Sequence, residues 1–176
     1  MKSIVAILFL AFAAFGISNC QPESSYFEVA KQRSAKYSAP RKDYVIVVDY
    51  TKNILATRLY VINMKTGETV ISSRVAHAYN SGKAYATDFS NKGGTNKSCK
   101  GNFVTLGTRI GRFGYSMQIK GLDPGINDNA TSRAIIFHST AKMRSVWSHG
   151  CFATDDETNR QIIELTKGGC LICVIN

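Results

Sequence analysis

Residues 44–50, Tyr-Val-Ile-Val-Val-Asp-Tyr, put five β-branched or aromatic side chains in unbroken succession, with no helical spacing of polar groups. Such a run packs on a pleated surface and loses side-chain freedom in a helix. Its length and continuity predict a strand buried on both faces. Similar runs recur at 58–62, 69–78, 102–106, 115–120, 134–138 and 171–175, separated by Gly-rich or polar stretches. Met64-Lys65-Thr66-Gly67-Glu68 supplies turn chemistry before the run at 69–78, and the first three runs together read as a meander. The expected fold is mainly β.

One helix is predicted, at about 155–167. Thr154 and Glu157 have capping-box spacing, Asp155 and Asp156 suit the positive end of the dipole, and Ile162, Ile163 and Leu165 supply an apolar stripe. Gly168-Gly169 ends it. At 176 residues there is room for one domain and one active site.

The first residues read as an export signal: Met1-Lys2, an apolar run over 4–15, then small and polar residues to Asn19. About a dozen apolar residues fall short of the ~20 that span a bilayer. Ile17-Ser18-Asn19-Cys20 resembles a bacterial lipoprotein cleavage box, which would make Cys20 a lipidation site and attach the chain to a membrane. Asn19 replaces the usual small residue, so ordinary cleavage near Ser18 or Cys20 stays open. Residues 20–42 are polar and basic and read as a tether or short surface helix, with the folded domain over 43–176. The expected location is the periplasm or cell envelope.

The formal charge is +10, and a signal would remove only Lys2 from it. A basic exported protein suits anionic wall polymers or lipid surfaces. Nucleic acid is not the expected partner: zinc-finger spacing, RNA-binding aromatic signatures and heptads beside a basic region are all missing from the sequence. Oligomeric state is open.

Ser148-His149-Gly150-Cys151 carries the chemistry. Cys151 lies just before the predicted helix, with His149, Arg144 and Lys142 nearby in sequence, an environment expected to favour the thiolate. A thiol nucleophile needs a base, and only His77, His138 and His149 are available. His138 ends the apolar run 134–137, where a strand would hold its ring rigidly, and is expected as the general base. His149 suits pocket shaping. Cys20, Cys99, Cys170 and Cys173 leave disulfide pairing open, while Cys170 and Cys173 cannot bridge each other along one strand. A metal site is not expected, because a lone Cys-x-x-Cys has no second ligand pair.

His138-Ser139-Thr140 followed by Ser148-His149-Gly150-Cys151 resembles the active-site signature of murein L,D-transpeptidases. Val48-Asp49-Tyr50, Arg58-Leu59-Tyr60-Val61, Val75-Ala76-His77 and the stretch 121–130 resemble a less-studied branch of that family. The resemblance runs from about Asp43 to the C-terminus and implies an L,D-transpeptidase-like β-sandwich. It implies Cys151 as nucleophile, His138 as base, and Ser139 orienting the imidazole through its carbonyl. Ser148, His149 and Gly150 would line the acyl pocket, with amides around Gly150 and Cys151 holding the oxyanion; His77 is a weak substrate-binding candidate. The implied partner is the peptidoglycan stem peptide, with no cofactor: Cys151 forms a thioester, D-alanine leaves, and an amine resolves the thioester. Resolution by water would make an L,D-carboxypeptidase, and a degenerate site a non-catalytic peptidoglycan-binding lipoprotein. The sequence departs from the family pattern in a shorter gap between His138 and Ser148 and in Phe152-Ala153 after the cysteine.

Overall fold

The computed structural model describes residues 22–142 and 145–176. The proposed signal, Cys20 and Arg144 lie outside the described residues.

Eight strands form one sheet: β1 Tyr44–Asp49, β2 Leu59–Asn63, β3 Thr69–Ser73, β4 Asn102–Gly111, β5 Gly114–Gly121, β6 Ile136–Ser139, β7 Phe152–Thr154 and β8 Leu171–Ile175. Their spatial order is β3-β2-β1-β8-β4-β5-β6-β7. The β1–β8 and β6–β7 pairs are parallel and the other neighbours antiparallel. The mainly β reading holds, and the sandwich arises by folding a single sheet over its own core. Past Ser73 the chain leaves β2 and meets the far edge: Ala76 N–H donates to Ala153 O at 2.8 Å, and Ser148 N–H to His77 O at 2.8 Å.

The run at 44–50 is buried on both faces, which explains its lack of polar alternation. Ile46 and Val48 enter the inner core with Phe103, Met117, Phe137, Phe152 and Ile172. Val45 and Val47 face the other way, beneath a helix that precedes the strand.

That helix is α1, Pro22–Lys36, in the segment read as a tether or a short surface helix. Of the two readings the helix is the one that forms, and its contact with the sheet, through Tyr26 and Ala30, is what the surrounding charges obscure in sequence. Tyr26 stacks on Tyr60 with centroids 4.3 Å apart and donates to Asp49 Oδ2 at 2.7 Å. The folded unit therefore begins before Asp43. Among the described residues no helix is long and apolar enough to cross a membrane.

The second helix, α2, spans Asp156–Thr166 and buries Ile162 and Ile163. Its cap is Asp155, which accepts from Thr158 N–H at 2.9 Å, rather than the expected Thr154. Thr154 is committed to β7, paired with Ser139, so the cap falls one residue later. Cys99, Cys170 and Cys173 are buried free thiols. Burial raises Cys170 to about 11 and Cys173 to about 12, so both act as small, protonated core side chains.

Candidate active site

The β6–β7 register brings the two principal residues together. Phe137 pairs with Phe152 and His138 with Ala153. Both phenylalanines enter the core, their rings nearly parallel at 5.8 Å. Side chains alternate along a strand, so His138 and the residue before Phe152, Cys151, belong to the opposite face. There they line one cavity of about 880 Å³, with Arg112, Phe113, Trp147 and His149 also on its wall.

His138 is 2% exposed. Its Nδ1 lies 2.8 Å from Ser139 O, and a carbonyl only accepts, so Nδ1 carries the hydrogen. In the neutral ring Nε2 then holds the lone pair. Phe113, at the tip of the β4–β5 hairpin, stacks on the imidazole with centroids 4.5 Å apart. Burial pushes the His138 pKa below the ordinary imidazole value, opposed by the bond to Ser139 O. Ser139 Oγ is itself engaged, accepting from Ala141 N–H at 3.0 Å.

The half-buried Cys151 thiol donates to Ala134 O at 3.7 Å. Burial raises its pKa, while the Ile136 amide and the charges of Arg133 and Arg109 act in the thiolate's favour. Burial is the largest influence on both residues and draws each toward its neutral form. This corrects the expectation of a dipole-favoured thiolate. β7 separates Cys151 from the start of α2, and a helix dipole acts only over about its first turn.

Ser148 lines the cavity and also clamps the nucleophile turn. Its hydroxyl accepts from Gly150 N–H at 3.1 Å and donates to Cys151 O at 2.8 Å. The Gly150 amide is therefore already engaged, which weakens its expected share in an oxyanion site. Gly150 lies beneath the turn at φ 130°, where an added Cβ would stand 2.6 Å from Ile135 Cδ1. His149 is exposed on the cavity wall.

His77 does not face the cleft, so its expected role in substrate binding is corrected. It is fully buried; Nδ1 accepts from Arg58 Nη2 at 2.9 Å and Nε2 donates to Gly82 O at 2.8 Å. Arg58, also fully buried, bonds Val75 O through Nε at 2.9 Å and Nη2 at 2.6 Å. These bonds hold the crossing to Ser148. Burial lowers the His77 pKa, and Arg58 lowers it further.

Sequence reasoning missed three contributors. Phe113 had a signal, an aromatic between Gly111 and Gly114 at a hairpin tip. Ala134, read as the first residue of a strand, instead adopts φ 54° and presents its carbonyl to the thiol. Arg133 donates to Lys97 O at 2.6 Å and Cys99 Sγ at 2.7 Å, tying the 90–99 loop beneath the turn. Nothing local distinguishes either of these two.

Comparison with known proteins follows the same lines. A family described as the L,D-transpeptidase catalytic domain matches residues 19–174. None of the curated proteins matches the sequence. Among solved structures, a mutant of the helical cell shape determining protein from Campylobacter jejuni has a TM-score of 0.56 at 9% identity, over 86% of this chain and 55% of its own. A fused Zn-dependent amidase/peptidase/peptidoglycan-binding domain-containing protein from Clostridium acetobutylicum has a TM-score of 0.51 at 16% identity, over 89% and 63%. An L,D-transpeptidase from Stackebrandtia nassauensis has a TM-score of 0.48 at 17% identity, over 84% and 64%. At such identities the first two show a shared fold. The chain spans 55–64% of the length of these three structures.

Proposed function

Since the chain belongs to the L,D-transpeptidase catalytic-domain family, we propose that it is a peptidoglycan L,D-transpeptidase whose acyl carrier is Cys151. The observation that supports this most directly is the shared cavity of Cys151 and His138, with His138 Nδ1 held by Ser139 O so that Nε2 is the basic atom.

In this reading the stem peptide enters with the carbonyl of its third residue against Sγ. His138 Nε2 takes the thiol proton as the S–C bond forms, and the carbonyl electrons move to oxygen. We assign the oxyanion to the Cys151 amide, with the His149 side chain alongside, since the Gly150 amide is shared with Ser148. Collapse breaks the C–N bond, and the departing D-alanine takes the proton from His138. An acceptor amine then attacks the thioester, loses its proton to His138, and Cys151 leaves as the thiol. A pair drawn toward its neutral forms suits this cycle, because His138 is ready to accept a proton and the thiol gives it up only as the new bond forms.

Export through residues 1–19 and attachment at Cys20 belong to the same proposal, which places the enzyme at the cell envelope with its basic surface toward anionic wall or lipid.

The test is mass spectrometry of the protein incubated with a tetrapeptide-stem muropeptide. A thioester adduct with release of D-alanine is expected, and Cys151→Ala should lose it. Binding without adduct or product would overturn the enzymatic reading. Adding an amine acceptor separates transfer from hydrolysis by the mass of the product.

A further inference from the structure

Two smaller hollows adjoin the nucleophile cavity, and Asn96 and His149 line all three. One of them, about 340 Å³, is walled by Tyr79 and Trp147, with Asn80 beside them. Tyr79 is 50% exposed, so part of its ring is open to a ligand. Its ring meets Trp147 edge to face, centroids 5.3 Å apart and planes at 84°. Such a corner presents two perpendicular ring surfaces to a ligand.

The corner is held in place. Trp147 Nε1 donates to Lys83 O at 2.8 Å, and Tyr79 N–H donates to Ser148 O at 3.1 Å. Asn80 Nδ2 donates to Thr95 O at 2.9 Å, and Asn96 sits at φ 51° in the adjoining loop. Fixed aromatic planes flanked by side-chain amides match one ligand chemistry well. A pyranose offers an apolar C–H face to a ring, while its hydroxyl and acetamido groups exchange hydrogen bonds with amides. Among the described residues, neither anchored carboxylates, which a cationic peptide side chain would need, nor a closed apolar pocket, which a greasy one would need, lines this hollow.

Placement supports the same ligand. This step rests on the reading of Cys151 as acylated at the third stem residue, whose peptide is joined at its N-terminal end to an N-acetylated aminosugar. Three extended residues reach ~10 Å. Trp147 lies four residues before Cys151 and lines the same cavity, so the corner opens onto the space that a donor stem at Cys151 would occupy. We propose that Tyr79 and Trp147 form a saccharide subsite that takes an N-acetylhexosamine of the glycan carrying the donor stem.

The experiment uses the full chain as Cys151→Ala and three probes: a disaccharide-tetrapeptide, the same tetrapeptide without sugar, and the disaccharide alone. Trp147 is the single tryptophan, so its fluorescence reports directly on the corner. The sugar-bearing peptide should bind about tenfold more tightly than the free peptide, the scale of one good ring contact with its hydrogen bonds. Tyr79→Ala should erase that difference and leave free-peptide affinity unchanged, and Trp147→Phe, which has no tryptophan and is read by calorimetry instead, should keep most of it. Equal affinity for the two peptides, or an equal loss for both in Tyr79→Ala, would overturn the subsite. If the sugar-bearing peptide binds no better than the disaccharide alone and the sugar-free peptide does not bind, the subsite stands and the stem-peptide reading falls. If no probe binds, both fall.

Discussion

Replacing Gly150 with alanine sets a Cβ 2.6 Å from Ile135 Cδ1 and 3.2 Å from Lys97 O, on a backbone at φ 130°. An L residue on that side of φ costs about 1–2 kcal/mol. Crowding a packed site costs about 1–3 kcal/mol more. Relief is limited on both sides: Ile135 is 3% exposed and Lys97 O belongs to the backbone. The expected destabilisation is thus ~2–5 kcal/mol, a large part of the ~5–15 kcal/mol that holds a domain folded. With a urea slope of ~2 kcal/mol/M the midpoint should fall by ~1–2.5 M. Ile135→Ala alone should cost ~2–5 kcal/mol, but in the Gly150→Ala background it also removes the nearest clash. The double variant should therefore be more stable than the two losses predict by at least ~1 kcal/mol. Strict additivity, or a Gly150→Ala midpoint within ~0.3 M of the parent, would refute the steric argument.

Changing His138 to Gln should slow acylation by ~10²–10⁴-fold while leaving Cys151 open to small alkylating agents at high pH; an unchanged rate would remove His138 from the mechanism. Because burial raises the Cys151 pKa and lowers that of His138, iodoacetamide labelling of Cys151 should follow one ionisation above ~8.5, and a reactive plateau at pH 5–6 would instead reveal a preformed ion pair. His77 and His138 both have folded pKa values below the unfolded value of ~6.5, so below that pH the unfolded chain binds more protons and stability is lost as pH falls. Each contributes a slope of at most about 1.4 kcal/mol per pH unit, so urea midpoints between pH 7 and 5 should fall less steeply in His77→Gln than in the parent; identical slopes would exclude His77. Ala134→Gly should relieve the strain at φ 54° for a net gain of about 0.5–1 kcal/mol, read as a melting temperature a few degrees higher, and a loss would show that the alanine is unstrained.

How much of this was legible depends on how far each feature reaches along the chain. The strands β1, β2 and β8 stand out because residues buried on both faces need no polar alternation, and β5 because it does alternate, with Gln118 and Lys120 exposed; both patterns are local. β7 is only three residues long and too short to leave a periodicity. A short helix at α1 was among the readings of the sequence, but its packing was obscured because Tyr26 and Ala30 find their partner, Tyr60, in β2. The cap of α2 shifted to Asp155 because Thr154 was already claimed by a sheet pairing that no local signal announces.

The candidate site divides along the same line. The thiol, its candidate base and the glycine beneath the turn are visible as residue types at a recognisable spacing, so the amino-acid sequence alone determined the chemistry on offer. Only the tertiary structure decided how those groups are held. The β6–β7 register sets Cys151 and His138 on one face, and the β4–β5 hairpin lays Phe113 on the imidazole. The crossing from β3 buries His77 against Arg58 instead of turning it to the cleft. The reason is that a protonation state depends on burial and on neighbours brought from elsewhere in the chain. That is why Cys151 reads in sequence as a thiolate at a helix start, while in the folded protein burial draws both it and His138 toward their neutral forms.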